Sequence, residues 1–156
     1  MKVHTVATQP HYHQHVTAVF NALPDAWKGE QRITSRATGH GLDPDDIVLV
    51  GGFWDIGAVK DNRIVYVEHG AGQKYNLPPE SLGAQCFHGA DHDERVVGYI
   101  SPNARVAKSW NRAAIAVGCP IVDRFASWQP RDNAKPLAVL ALHWSPRDPL
   151  CPEARS

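Results

Sequence analysis

Residues 68–74, Glu68-His69-Gly70-Ala71-Gly72-Gln73-Lys74, gather the residue types that proton transfer beside a phosphate requires. An imidazole titrates near neutrality and can serve as base or acid toward a hydroxyl. Gly70 and Gly72 allow close backbone approach and expose N–H groups to an anion, and Lys74 adds a cation. The plain alternative is a glycine turn that carries an incidental histidine. In His11-Tyr12-His13-Gln14-His15, three histidines alternate. In extended backbone they would point the same way and could share a metal. No cysteine or carboxylate stands beside them at ligand spacing, and a loop on the rim of a cleft accounts for them equally well. Asp43-Pro44-Asp45-Asp46 contains an Asp-x-Asp, which in one class of sugar transferase holds a divalent cation and a nucleotide diphosphate. Here it precedes an apolar run rather than following one, and Pro44 makes a turn the simpler account. Cys119 has no histidine at a suggestive spacing and reads as packed. A P-loop and a G-x-G-x-x-G segment are both absent, which counts against a P-loop ATPase and an NAD enzyme.

The elements that must position these residues are short. Val3–Thr8 reads as a strand, and Gln9–His15 as a polar loop broken by Pro10. Val16–Leu23 has apolar residues at helical spacing, ended by Pro24. Arg32–Thr38 alternates weakly, as a second strand would. Ile47–Val50, Ile64–Val67 and Val96–Ile100 are continuous and rich in β-branched residues, the mark of strands buried on both faces. Phe53–Lys60 fits a short helix. Ser101-Pro102 offers a cap and a first helical proline for a helix over Arg105–Val117, with Val106, Trp110, Ala113 and Val117 on one face and Gly118 closing it. Pro120–Asp123 and Leu137–Trp144 read as further strands. Strands alternating with helices predict an α/β fold with a mostly parallel sheet. Ligands of such sheets bind beyond the carboxyl ends of the strands. The loops Gln9–His15, Gly51–Asp55 and Glu68–Lys74 therefore matter most.

At 156 residues, 43% hydrophobic and 21% charged, the chain is one ordinary domain, or one with a short tail, that can bury a real core. Sixteen basic residues balance sixteen acidic ones, which argues against a nucleic-acid binder that grips phosphates. No run approaches the roughly 20 apolar residues of a membrane helix. No secretory signal is visible in MKVHTVATQPHYH. Cys86, Cys119 and Cys151 are too few and too scattered for a disulfide framework, so a reduced, cytoplasmic protein is expected.

His69-Gly70-Ala71-Gly72-Gln73-Lys74 resembles the H-G-x-x-x-K segment of CDP-glycerol glycerophosphotransferases and related polymer-forming transferases of GT-B architecture. Gly118-Cys119-Pro120-Ile121-Val122-Asp123 is similar to their G-x-P-x-x-D segment, except that Ile121 stands where an arginine is usual. The segment Tyr99-Ile100-Ser101 lies between the two in the same order, and the resemblance spans roughly residues 47–123. It implies the acceptor-side half of a two-domain GT-B fold with its site in a cleft, and it places His69 at the catalytic centre. Residues 1–130 would form the Rossmann-like N-terminal domain, with a mostly parallel sheet and helices on both faces. Residues 131–156 would be a linker and the first strand of a second, donor-binding domain, either missing or supplied by a partner or a second copy.

The resulting expectation is a glycosyl- or glycerophosphotransferase domain moving a group from a nucleotide-activated sugar or glycerol to a hydroxyl acceptor, inactive when isolated. His69 would act as base or electrostatic partner. Lys74 and the amides of Gly70 and Gly72 would neutralise phosphate, His13 and Asp55 would orient the acceptor, and Ser101 would complete the substrate-binding set. No metal and no cofactor is expected, since GT-B enzymes need no bound metal. The alternatives are a non-catalytic sugar- or nucleotide-binding domain and a metal hydrolase built on His11, His13, His15 and His69.

Overall fold

The computed structural model describes residues 1–68, 93–108, 110 and 113–118. In chain order these form β1 (Val3–Val6), α1 (Pro10–Ala22), a single 3-10 turn (Asp25–Trp27), β2 (Lys28–Arg32), β3 (Ile47–Val50), α2 (Phe53–Ala58), β4 (Arg63–Val67), β5 (Val96–Ser101), α3 (Ala104–Ala107) and β6 (Ala114–Ala116). The six strands make one sheet in the order β2-β1-β3-β4-β5-β6, and every neighbouring pair is parallel. The expected adjacent, parallel placement of Ile47–Val50, Ile64–Val67 and Val96–Ile100 is what β3, β4 and β5 show. The chain winds outward from β1 to β2, then crosses back to β3 and proceeds the other way. This is a Rossmann-like, doubly wound sheet whose topological switch point lies between β1 and β3.

The continuous apolar strands are explained by cover on both faces. Val48, Val50, Ile64 and Tyr66 pack with Ile56 of α2, Val59, Tyr99 and Trp110. The residues that alternate with them, Leu49 and Val67, pack with Tyr12, Val16 and Phe20 of α1. Each buried aliphatic side chain of this kind contributes about 1.5–3 kcal/mol, so neither layer is dispensable. Trp110 is buried, as expected, and its indole stacks on Tyr99 with centroids 4.1 Å apart and planes 7° from parallel.

Three elements differ from expectation. The Gln9–His15 stretch is not a loop but the start of α1. Pro10 occupies the first turn, where a missing N–H costs nothing, and Tyr12, Val16 and Phe20 form a narrow buried stripe four residues apart. The second strand is Lys28–Arg32 rather than Arg32–Thr38. It is a polar edge strand, and Gly29 lets its backbone lie against the His4 imidazole, where a Cβ would collide. The helix expected over Arg105–Val117 stops after Ala107. Its cap is Asn103, whose side chain accepts from the Val106 N–H at 3.0 Å, while Ser101 is the last residue of β5. After Trp110 the chain returns to the sheet as the edge strand β6, and Gly118, with φ of +81°, follows a strand rather than a helix. Pro120–Asp123 and Leu137–Trp144 lie outside the described residues, as do Cys86, Cys119 and Cys151.

Candidate functional site at the carboxyl edge of the sheet

The loops leaving β1 and β3 meet at the switch point. Thr8 follows β1 and donates twice to one oxygen of Asp55, from its backbone N–H at 2.9 Å and from its hydroxyl at 2.6 Å. Asp55 sits in the first turn of α2 with no exposed surface. Burial pushes its carboxyl above the ordinary aspartate value. The Thr8 hydroxyl and amide, and then the amides of Gly51 and Gly52, pull it back part of the way. The second oxygen, Oδ2, is buried, and among the described residues no donor meets it in full hydrogen-bonding geometry, so the Gly51 and Gly52 amides act on the carboxyl as nearby dipoles. Gly51 and Gly52 are required for another reason. A methyl on Gly51 would lie 2.8 Å from Tyr12 Cβ, and one on Gly52 would overlap the Tyr12 ring. Helix α1 thus rests directly on the backbone that leaves β3.

His13 lies in the first two turns of α1, half-buried, with Nε2 3.0 Å from the carbonyl oxygen of Ala7. That nitrogen must donate, so in the neutral ring Nδ1 carries the lone pair. His13 is therefore held beside Thr8, and the same short loop anchors both His13 and Asp55. The three histidines do not share a side. On a helix, His13 is turned about 200° from both His11 and His15, and the common direction that extended backbone would give them is lost. Burial pushes the His15 imidazole below its usual value, and the charge of His11 lowers it further.

A second cluster occupies the carboxyl ends of β4 and β5. Glu68 follows β4, and its N–H bonds the Ile100 carbonyl at 2.9 Å. The Ser101 hydroxyl donates to Glu68 Oε2 at 3.1 Å, and the Trp110 indole N–H donates to the same oxygen at 3.4 Å. Burial raises the Glu68 carboxyl, while the two hydrogen bonds lower it. Between the clusters stands Tyr66. Burial drives its hydroxyl far above the usual phenol range, and Tyr12, Glu68 and Asp55 add to the shift. It stays protonated, a donor set among two carboxyls.

Among the residues expected to serve the site, His13, Asp55 and Ser101 all lie at the carboxyl edge. Asp55 and Ser101 are turned inward: Asp55 braces Thr8, and Ser101, 1% exposed, acts on Glu68. Their hydrogen bonds in the structure run to Thr8 and Glu68. His69, Gly70, Gly72 and Lys74 lie outside the described residues. The sequence does not mark Thr8, Tyr66 or Trp110 as site residues, and it includes Glu68 only as the head of the 68–74 segment, without a role of its own. The Asp43–Asp46 segment lies at the opposite, amino edge. There Asp45 N–H bonds Asp43 Oδ1 at 3.0 Å, and Asp46 accepts from His4, which is a turn rather than a cation site. Among the described residues no three His, Cys, Asp or Glu side chains are grouped to hold a metal ion, and no helix is long and apolar enough to cross a membrane. No family model, curated protein or solved structure matches the chain.

Proposed function

We propose that the chain is the acceptor-side domain of a GT-B-like glycosyl- or glycerophosphotransferase. The observation that supports this most is the pairing of β1 and β3 exits through Thr8 and Asp55 at the switch point of a parallel sheet, the place where such folds bind ligands. His13 borders the same loop, and Glu68 brings the chain to that edge immediately before His69 in the sequence. In this reading an acceptor hydroxyl attacks a nucleotide-activated donor held by a second half. His69 takes the proton as the nucleotide leaves with the bonding electron pair. Lys74 and the amides of Gly70 and Gly72 neutralise phosphate. Asp55 positions the loop, and His13 with its Nδ1 faces the acceptor.

Turnover measured with the donor-binding half present tests the assignment. His69→Ala should lower turnover about 100-fold to 10,000-fold, the usual range for a general acid or base. Acceptor affinity should change far less, because the lost interaction forms mainly in the transition state. Intact turnover in His69→Ala removes the catalytic assignment and leaves the second reading, a domain that binds a sugar or nucleotide without reacting it. That second reading draws on the inward-turned Asp55 and Ser101, which shape the edge without meeting solvent.

A further inference from the structure

We propose that Glu68 is a specificity residue that presents one carboxylate oxygen to a hydroxyl of a bound sugar or polyol, while Ser101 and Trp110 hold the other oxygen in place. The inference rests on the reading of the carboxyl edge as the ligand site and names the part of the ligand recognised there.

The cluster is built to aim a carboxylate. Register pairs Val67 with Ile100, so Glu68 and Ser101 stand side by side just past the last paired residues of β4 and β5. Both donors to Oε2 are themselves buried, Ser101 at 1% and Trp110 at 8% exposure, and the stack on Tyr99 fixes the indole. Their convergence on a single oxygen leaves Oε1 without a donor among the described residues, on a side chain that is only half-buried. A purely structural role would be served better by glutamine. Its carbonyl oxygen accepts from a hydroxyl and an indole equally well, without the penalty that burial places on a carboxylate. The charge makes sense when Oε1 accepts from a group outside the protein, and a charge-assisted bond from a hydroxyl is about twice as strong as a neutral one. The same charge repels phosphate, so it orients a phosphorylated polyol with its hydroxyl end toward β4.

The probe pair is sn-glycerol 3-phosphate and ethyl phosphate, which share the phosphate and differ in the hydroxyls. Calorimetric titration of the full chain should show tighter binding of the first. In Glu68→Gln that preference should fall about tenfold, with ethyl phosphate affinity unchanged. Wild-type affinity for glycerol phosphate should also weaken as pH falls through the raised titration of Glu68, and that step should be absent in Glu68→Gln. Among the described residues, the other titratable groups of the patch are Tyr66 on β4, Tyr12 on α1 and Asp55 on α2, while β5 and the segment after α3 contribute the neutral Ser101 and Trp110. A step that persists in Glu68→Gln belongs to those groups or to the second ionisation of the phosphate, at about pH 6, and ethyl phosphate shows the latter as well. Ser101→Ala, which frees the carboxylate to turn, should reduce the preference by a smaller factor, and backbone spectra of both variants confirm the fold. An undiminished preference in Glu68→Gln overturns the proposal and leaves the edge reading standing. Failure of wild type to bind either probe overturns both.

Discussion

Asp55 is a carboxyl placed beyond the reach of water, and Thr8 is what makes that tolerable. Two donors from one residue converge on Oδ1, so deleting the acceptor strands both. Asp55→Ala should therefore cost about 1–3 kcal/mol in urea denaturation, while Asp55→Asn, which keeps the acceptor, should cost less. The pH dependence has a definite sign. The folded carboxyl titrates above its unfolded value of about 3.9, so the native state holds the proton longer. The stability associated with this group is full below the unfolded value and declines as pH rises to the raised folded value. Asp55→Asn should flatten that decline, and a profile identical to wild type would contradict the burial assigned to Asp55. At this scale the sequence points to His13 and Asp55 because each follows a strand-like run, Val3–Thr8 and Ile47–Val50. Thr8 draws no attention, and Glu68, though it heads the 68–74 segment, draws no role of its own, because a lone threonine or glutamate at a strand end looks like ordinary surface. The available signal was position: each is the first residue, or nearly so, past the apolar run of a buried strand.

Among the elements, legibility tracked burial on both faces. β3 and the stretches Ile64–Val67 of β4 and Val96–Ile100 of β5 are continuous runs with no charged residue, a pattern with few other causes, whereas β1 buries His4 and Thr5 between its two valines. β2, with sequence KGEQR, has a neighbour on one side only among the described residues and needs no apolar run, so nothing in its composition announces a strand. α1 begins in a histidine-rich stretch that reads as loop because only every fourth residue is buried. The helical spacing of Val106, Trp110, Ala113 and Val117 proved misleading. Val106 and Trp110 face the core from α3 and the turn after it, whereas Val117 follows the edge strand β6 and is half exposed. The contact between α1 and the β3–α2 loop yields a direct test. Gly52→Ala puts a methyl into the Tyr12 ring and should destabilise the fold by about 1–3 kcal/mol, the usual range for overpacking. Gly57→Ala, where a Cβ meets nothing within 4 Å, serves as the control in thermal denaturation. Equal melting temperatures for the two variants would mean that α1 does not rest on this loop.

Across the whole molecule the two edges of the sheet differ in kind. At the amino edge His4 Nδ1 accepts from the Glu30 N–H at 2.9 Å, which leaves Nε2 to donate to Asp46 Oδ2 at 2.9 Å. Asp46 also accepts from the Lys2 N–H, and the bond from His4 is the chief cause that lowers its carboxyl. This knot ties β1, β2 and the entry to β3, and its polar atoms are satisfied from within. Its contribution to stability is present above the unfolded aspartate value and is lost as pH falls toward the depressed folded value, opposite in sign to that of Asp55. Denaturation midpoints of Asp46→Asn should lack that acid-side loss. The carboxyl edge is different: among the described residues it holds a buried carboxyl oxygen that no donor meets, a half-buried carboxylate held by one oxygen, and a histidine held through Nε2 alone. Ligand binding is proposed for this edge, across the switch point. Amide shifts of the isotope-labelled chain on titration with sn-glycerol 3-phosphate test it most directly. Shifts are expected at Thr8, Gly51, Gly52 and Ser101, with Lys2, Glu30 and Asp46 unmoved; shifts confined to the amino edge, or none, would contradict the account.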